Sequence, residues 1–576
     1  MADFEPGPRA DRWLALLALA VALPSLGVGF YMDDWWHVLV VRTHTWSEAL
    51  FEMFRFVTGP EAPHPLWWQA PDMRLAFFRP LPAALIEVDN ALFGNNAWLW
   101  HLHQVGWWLV LVAVVRALFR GVLSPRAAFL ATAVFAFDQG HTMSIAWLAG
   151  RNALVSAVFC VGALVAHVRW RRGEGRGWGA LAVLAFMFAL AGGESALGGL
   201  GYLLAWEVMG APGPRHERAL ALAPVGLVVG AWAVMYTLGG FGTRASGMYF
   251  DPLREPAAWL VQAPGHLLAL LGAATLRAPV DLWSITDDSR PGLVAAGVFG
   301  VALAVALLRE LATRAPDLWS RVGWLLGGAL LSLFPVLSTY PSSRLLLLPS
   351  VGIAAVIGAL VEHVYRVRND APRLPWPYRW TVTIAALHAY GLGPVLLVGQ
   401  MVAVAVGAHN LRAAVEAADF GPPARLAIVD VTPTPLQALY LPEMRFAEGE
   451  PLRVVGVLST APYDHVLRRI SPRRLEVEVV GGHLFGTDFE RGWRAPSRRL
   501  VVGDRVPWGN DAIEILAVDE VGPTRFAFES QDDLDDLTWL AWSGDSFAPV
   551  PPPALGQEIF VRRTDDADHP LVRTAR

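Results

Sequence analysis

Residues 13–30, WLALLALAVALPSLGVGF, run directly into Tyr31-Met32-Asp33-Asp34-Trp35-Trp36-His37. An uncharged apolar run of this length reads as a membrane helix. Two adjacent carboxylates at the point where the chain leaves the hydrocarbon are costly unless they have a task, because charge near lipid is poorly solvated. Asp33 and Asp34 are therefore the candidate active-site acids. The competing reading makes them the wet end of a helix, beside Trp35 and Trp36 in an interfacial aromatic belt. Arg9 and Arg12 precede the run, which predicts a cytoplasmic N-terminus and puts the two acids on the extracytoplasmic side. No small-residue cleavage site follows the run, so it reads as a retained anchor.

Composition extends this reading to the whole chain. With 576 residues, 54% hydrophobic and 17% charged, and a mean hydropathy of +0.39, the sequence is too apolar for an ordinary soluble protein and carries repeated runs of spanning length. The apolar runs stop near Gly407. Residues 1–407 form a predicted membrane region, and residues 408–576 a predicted extracytoplasmic domain of usual size. The single Cys160 excludes an intrachain disulfide. All 46 basic residues are Arg, and the net charge of −5 gives no sign of a nucleic-acid partner.

Spans are predicted at about 97–119, 127–137, 152–168, 178–191, 196–209 and 219–238, then at 293–308, 322–338, 345–361 and 380–406. With the first run they make about eleven crossings. The apolar segment 259–274 is read as interfacial or re-entrant, because a crossing there would put Arg309, Arg314, Arg321 and Arg366 outside. The outer loop 32–96 is predicted to carry a membrane-surface helix, from the helical spacing of Trp46, Leu50, Phe51, Phe54 and Val57. Trp67-Trp68 would anchor that loop. The third span breaks at Asp138-Gln139-Gly140-His141, and an interrupted span needs a protein-lined cavity for its freed backbone groups. Residues 138–151 are thus expected to line a cavity on the Asp33 side. Tyr249 and Asp251 are accounted for by a turn at Asp251-Pro252. Beyond Gly407, β-type runs at 425–430, 452–458, 475–480, 500–506, 512–518 and 525–528, separated by Gly, Pro, Asp and Asn, suggest an antiparallel sandwich or barrel.

Collected in order, the outer loops carry Asp33-Asp34; Phe78-Arg79-Pro80-Leu81 with Leu92-Phe93-Gly94 and His101-Leu102; His141 through Ala146-Trp147-Leu148-Ala149-Gly150-Arg151; Glu194; and Pro341 through Arg344-Leu345-Leu346. Over residues 13–406 this series resembles the GT-C membrane glycosyltransferases, in particular the protein O-mannosyltransferase-like branch that includes the transmembrane and tetratricopeptide mannosyltransferases. The resemblance implies a GT-C-like polytopic α-helical membrane protein with a C-terminal β-rich soluble domain. It implies a polyprenyl-phosphate sugar as donor, a hydroxyl acceptor arriving from outside, and a place in the cell envelope, with a bacterial inner membrane as the expected location. Asp33 would be the general base that takes the acceptor proton, with Asp34 in support. Arg79, Arg151 and Arg344 would neutralise the departing lipid phosphate, and His141 and Glu194 would complete the substrate-binding set. No cofactor is required; a divalent cation, Mg²⁺ or Mn²⁺, would be held by Asp33 and Asp34 if by any residues.

The chain departs from the family pattern at Met143, where a Glu is usual, at Gly193, where a Lys is usual, and at Trp108, where a second His is common. The tetratricopeptide tail is absent. These departures motivate an alternative: a non-catalytic membrane protein on the same scaffold that binds a polyprenyl lipid or organises envelope partners.

Overall fold

Inside hydrocarbon every backbone N–H and C=O must bond within its own segment, so apolar stretches of about 20 residues fold as helices. The computed structural model describes residues 6–56, 66–369, 375–417, 426–429, 439–452, 455–544, 546–563 and 572–574. Its helices are α1 (Pro8–Ala22), α2 (Asp34–Thr43), α3 (Trp46–Glu52), α4 (Pro80–Phe93), α5 (Ala97–Val122), α6 (Pro125–Ala136) and α7 (Thr142–Ala146). They continue with α8 (Arg151–Arg171), α9 (Arg176–Gly192), α10 (Leu197–Ala205), α11 (Arg215–Leu238), α12 (Pro256–Leu276) and α13 (Arg290–Arg314). Then follow α14 (Pro316–Ser332), α15 (Pro349–Asn369), α16 (Trp376–Leu387), α17 (Gly393–Ala417), α18 (Leu441–Ala447) and α19 (Asp488–Gly492). Among the described residues nine helical stretches are long and apolar enough to cross a membrane, and α6 and α9 are shorter apolar helices. The chain is a polytopic helical membrane protein with a β-rich C-terminal region.

Contacts between helix ends sort them onto two faces. On one face Arg116 of α5 binds Asp11 of α1 at 2.7 Å, Arg366 of α15 binds Asp317 of α14 at 2.9 Å, and Arg172 donates to the carbonyl of Gly121 at 2.7 Å. On the opposite face, the one bearing Asp33, His101 of α5 meets the carbonyl of Gly29 at 2.8 Å and Arg55 donates to the carbonyl of Gly239 at 2.8 Å. Helix α10, prolonged by the π turn Trp206–Gly210, reaches the first face, where Glu207 is paired with His167 and Arg171.

Helix α12 qualifies as a span by length and composition, yet both its flanks touch the Asp33 face. Before it, Phe250 N–H donates to Ser338 C=O at 2.8 Å; after it, Arg277 pairs with Asp138 and Asp281 accepts from Ser342 Oγ at 2.7 Å. Two ends on one face mean that the helix does not cross, in agreement with the charge-parity reading of 259–274. The crossings among the described residues are then α1, α5, α6, α8, α9, α10, α11, α13, α14, α15 and α16 with α17. Helix α12 lies close against α13: a Cβ on Gly297 would fall 2.0 Å from Leu268 C=O, so only glycine fits there.

The loop between α1 and α5 departs from its expected place. Trp67 and Trp68 are 2% and 1% exposed, and the Trp67 indole donates to Leu458 C=O at 2.9 Å while its ring packs on Phe526. They anchor the loop to the C-terminal domain and not to lipid. Trp35 and Trp36 are likewise buried. The surface helix shrinks to α3, a seven-residue helix with a Thr45–Glu48 capping box; Phe54 is buried after it and Val57 lies outside the described residues. One apolar cluster runs from Phe30 and Trp68 through to Val477, Phe528 and Trp539.

The strands are β1 (Arg74–Ala76), β2 (Gly242–Arg244), β3 (Leu426–Val429), β4 (Val455–Ser459), β5 (Asp464–Ser471), β6 (Arg474–Val480), β7 (Arg505–Trp508), β8 (Asp511–Val518), β9 (Pro523–Glu529), β10 (Thr538–Trp542), β11 (Phe547–Pro549), β12 (Glu558–Val561) and β13 (Val572–Thr574). They form a seven-stranded sheet in the order β13-β12-β5-β6-β9-β8-β7 and a four-stranded sheet in the order β11-β10-β3-β4. The first is antiparallel throughout, with alternating burial along β5 and β6. The second departs from the expected antiparallel pattern, because β3 pairs in parallel with both β4 and β10. Residues 500–504, expected in a strand, precede β7, while β5, β10, β11, β12 and β13 add to the predicted set.

Candidate active site

Asp33 sits where the chain reverses from α1 into α2. Met32 takes a left-handed φ of 51°, a conformation costly for a non-glycine residue and found where the surroundings over-determine it. Asp33 is the residue before the first turn of α2 but makes no side-chain cap, so its carboxylate is left for other partners. Tyr440, from the C-terminal region, donates its hydroxyl to Asp33 Oδ1. Burial pushes the Asp33 carboxyl above its ordinary range, opposed by the Tyr440 hydroxyl and the Arg344 and Arg79 guanidiniums.

Two cavities meet at this carboxylate. The first, about 1040 Å³, runs from Asp33, Arg79, Glu194 and Arg344 past Met143 and Trp147 into an apolar cleft lined by Leu200, Leu204, Leu222 and Val225 of the membrane helices. The second, about 850 Å³, lies between the membrane body and the C-terminal domain, with Tyr440, Phe489, Arg491, Trp493 and Arg494 in its wall. Asp33, Tyr249, Trp147 and Arg344 line both. Residues 138–151 do supply part of the first wall, through Met143, Ser144, Trp147, Ala149 and Gly150.

Arg79 and Glu194 form one unit. Arg79 Nε lies 3.0 Å from Glu194 Oε2, the Phe78 N–H donates to Glu194 Oε1 at 3.0 Å, and the guanidinium lies 4.2 Å from the Phe77 ring centre. Gly193, with φ of 152°, lies beneath Arg79; a Cβ there would be 3.6 Å from Arg79 Cγ. Arg79 therefore covers the position at which the family pattern carries a lysine. Arg344, on the 3-10 turn Ser343–Leu346, stacks over Trp147 at 5.3 Å and Tyr340 at 5.9 Å. Its Nη2 also reaches the Tyr340 hydroxyl at 3.5 Å, and the residue lines both cavities.

Three predicted site residues stand elsewhere. Arg151 is fully buried and does not line either cavity: it donates to Asp89 at 2.5 Å, Gln104 at 2.9 Å and Trp100 C=O at 3.1 Å. Completely enclosed, it presents no donor to either cavity. His141 is buried between Trp108 and Phe135 and meets Ser350 Oγ at 2.9 Å. Asp34 is buried with Oδ1 accepting from Ala149 N–H at 2.7 Å and Oδ2 from Tyr31 N–H at 2.9 Å. Burial pushes its carboxyl up to about 8 against those two bonds. Asp34 thus ties α2 to the 148–150 turn that carries Trp147 toward the cavity.

Both Asp34 oxygens accept backbone N–H groups and Asp33 Oδ1 accepts the Tyr440 hydroxyl. Among the described residues no group of three or more His, Cys, Asp or Glu side chains converges.

Tyr440, Tyr249 and His37 are site residues that sequence reading did not assign. His37 is 1% exposed beside Asp33, and burial, with Arg79 and Arg151 nearby, holds its imidazole neutral with a pKa lowered to about 3. The signal for His37 was its spacing one helical turn after Asp33. Tyr249 makes a bridge to Thr339 that brings loop 239–255 over the site.

No protein-family model and no curated protein matches the chain. Among solved structures it is similar to the archaeal oligosaccharyltransferase AglB from Archaeoglobus fulgidus, in complex with an inhibitory peptide and a dolichol-phosphate, at 12% identity and a TM-score of 0.44. That match covers 78% of this chain and 65% of the archaeal one, so the chain spans just under two thirds of its length. It is also similar to ArnT from Cupriavidus metallidurans bound to undecaprenyl phosphate, at 15% identity and a TM-score of 0.40, over 78% of this chain and 90% of ArnT.

Proposed function

We propose that the protein is a glycosyltransferase that moves a sugar from a polyprenyl-phosphate donor to a hydroxyl acceptor. The carrying observation is the meeting of an apolar membrane-helix cleft and an interdomain cavity at one half-buried carboxylate flanked by two guanidiniums. The polyprenyl chain lies along Leu200, Leu204 and Leu222, and its phosphate faces Arg344 and Arg79. The acceptor enters through the interdomain cavity. Asp33 removes the proton from the acceptor hydroxyl as its oxygen bonds to the anomeric carbon, and the bond from that carbon to the phosphate oxygen breaks. The arginines stabilise the charge left on the lipid phosphate in a site largely closed to water. Arg151, His141 and Asp34 support the fold of this site and make no substrate contact.

The Asp33 face is proposed as extracytoplasmic, in keeping with arginines clustered at the opposite helix ends. The membrane region 1–407 then carries the donor site, and 408–576 closes it from outside. Glycosylation of envelope material is compared in cells making equal amounts of the native chain and Asp33→Asn. The expected outcome is loss of product by a factor of at least ~100, with undecaprenyl phosphate binding retained. Equal product from both chains removes Asp33 as the base. A second reading, a lipid-binding scaffold without catalysis, is favoured by Met143 facing the cavity where a Glu is usual; it predicts lipid binding with no product from either chain.

A further inference from the structure

The contact between Tyr440 and Asp33 joins residues 407 positions apart. It is not an isolated touch. Helix α18 follows directly on Tyr440 and runs alongside α2, which follows directly on Asp33. At the far end of the pair, Arg42 of α2 donates to Ala447 C=O at 2.9 Å, so the two helices are pinned at both ends. Tyr440 is 6% exposed, walled by the same apolar cluster as Trp36 and Leu441. A packed tyrosine with its hydroxyl on a carboxylate oxygen has little freedom to turn away.

From this geometry we infer that Tyr440 is a positioning residue for Asp33: it holds Oδ1, fixes the plane of the carboxylate and leaves Oδ2 as the oxygen presented to the acceptor hydroxyl. The C-terminal domain thereby contributes a member of the active site. This inference rests on the transferase reading above. The other groups facing Asp33 are Arg344 from the turn before α15, Arg79 at the start of α4, Tyr249 from the loop before α12, His37 one turn along α2, and Asp34 beside it. The arginines fix the charge of the site, whereas only Tyr440 makes a hydrogen bond to the Asp33 carboxylate among the described residues. A phenol donating to a carboxylate favours its ionised form, so removal of the hydroxyl raises the pH at which Asp33 gives up its proton.

The test uses the full chain in lipid nanodiscs and dicyclohexylcarbodiimide, which labels protonated carboxyls in apolar surroundings. Fragment mass spectrometry separates adducts on Asp33 from those on Asp34, and the labelling rate is followed against pH. Tyr440→Phe keeps the buried ring, and its melting temperature reports that the fold is intact. The expected result is an upward move of the Asp33 midpoint by about one to two pH units, the size of one charge-assisted hydrogen bond, with the Asp34 midpoint unmoved. The acid limb of transfer against pH moves up with it, and the KM for donor stays constant. An unmoved Asp33 midpoint overturns the inference, as does an equal move at Asp33 and Asp34, which reports general loosening. Should Asp33→Asn retain transfer while the labelling midpoint still shifts in Tyr440→Phe, the contact stands and the base assignment falls. Tyr440→Leu repeats the labelling without an aromatic ring and gives the same shift if the hydroxyl is responsible.

Discussion

Removing a guanidinium and a carboxylate from water costs several kcal/mol for each ion. Arg151 and Asp89 are both completely buried and meet at 2.5 Å, with His103, Gln104 and Trp100 C=O taking up remaining donors and acceptors. The pair locks α4, α5 and α8 together beneath the cavity floor. Arg151→Met leaves Asp89 buried without its ionic partner, so the expected loss of stability is about 3–5 kcal/mol, read as an early melt in detergent, while the donor KM of the folded fraction is unchanged. A phosphate ligand would show the reverse, a raised KM with little change in melting. The residue scale is also where sequence reading reached its limit. Asp33, Arg79, Glu194 and Arg344, singled out in the sequence as charges at helix ends on one side, do meet on the wall of one cavity. Arg151 has the same position in the sequence as a cavity residue, and only the presence of Asp89 one helix away turns it inward. Tyr440 lies in a stretch with no period at all, and its partner is set by tertiary packing.

At the scale of elements, apolarity and charge give different answers for α12, and the contacts at its two ends side with charge. An 18-residue stretch of it has a mean hydropathy of 1.3, enough to cross, but crossing would have inverted the sidedness of every arginine that follows. The structure resolves the conflict with the contacts of Arg277 and Phe250 on the Asp33 face. Cysteines placed at Leu253 and Ile285, which are 92% and 73% exposed, are expected to react with a membrane-impermeant maleimide from the same side. A cysteine at Arg176, at the start of α9, reacts from the other side, and the buried Cys160 stays silent. Labelling of the two flanks from opposite sides would make α12 a true span. The strands were legible where apolar residues occupy the alternating buried positions, as in β6 and β8, and missed in β5, where burial alternates but Arg468 and Arg469 break the apolar pattern.

For the whole molecule, the question is what holds the C-terminal domain on the membrane body. Arg290 and Arg491 form a clasp with Asp287 and Asp488 at the surface. Partly exposed ion pairs contribute about 0–1 kcal/mol, whereas Trp67, Trp68 and the backbone bond from Gly247 N–H to Gly492 C=O are buried or close-packed. Asp488→Ala should therefore leave docking nearly intact. Gly247→Val should undo it, because a Cβ at Gly247 would stand 2.1 Å from Arg491 C=O. Protease sensitivity of the C-terminal domain, measured for both variants, distinguishes the two contributions; greater sensitivity in Asp488→Ala would assign docking to charge.

The parallel pairing of β3 bears on the order in which the protein becomes competent during synthesis. β3 leaves the ribosome soon after α17, but its neighbour β10 begins at Thr538. β3 can pair with β4 once Val455–Ser459 is made, but its other edge waits for β10, since a long chain segment must be emitted and its loop closed before that pairing forms. Tyr440 lies between β3 and β4 and is itself emitted 407 residues after Asp33. Asp33, emitted near the beginning, thus stands in a membrane already threaded while its hydroxyl partner is still unplaced. A chain interrupted before Tyr440 would hold the cavity walls supplied by the membrane helices without the hydroxyl that meets Asp33.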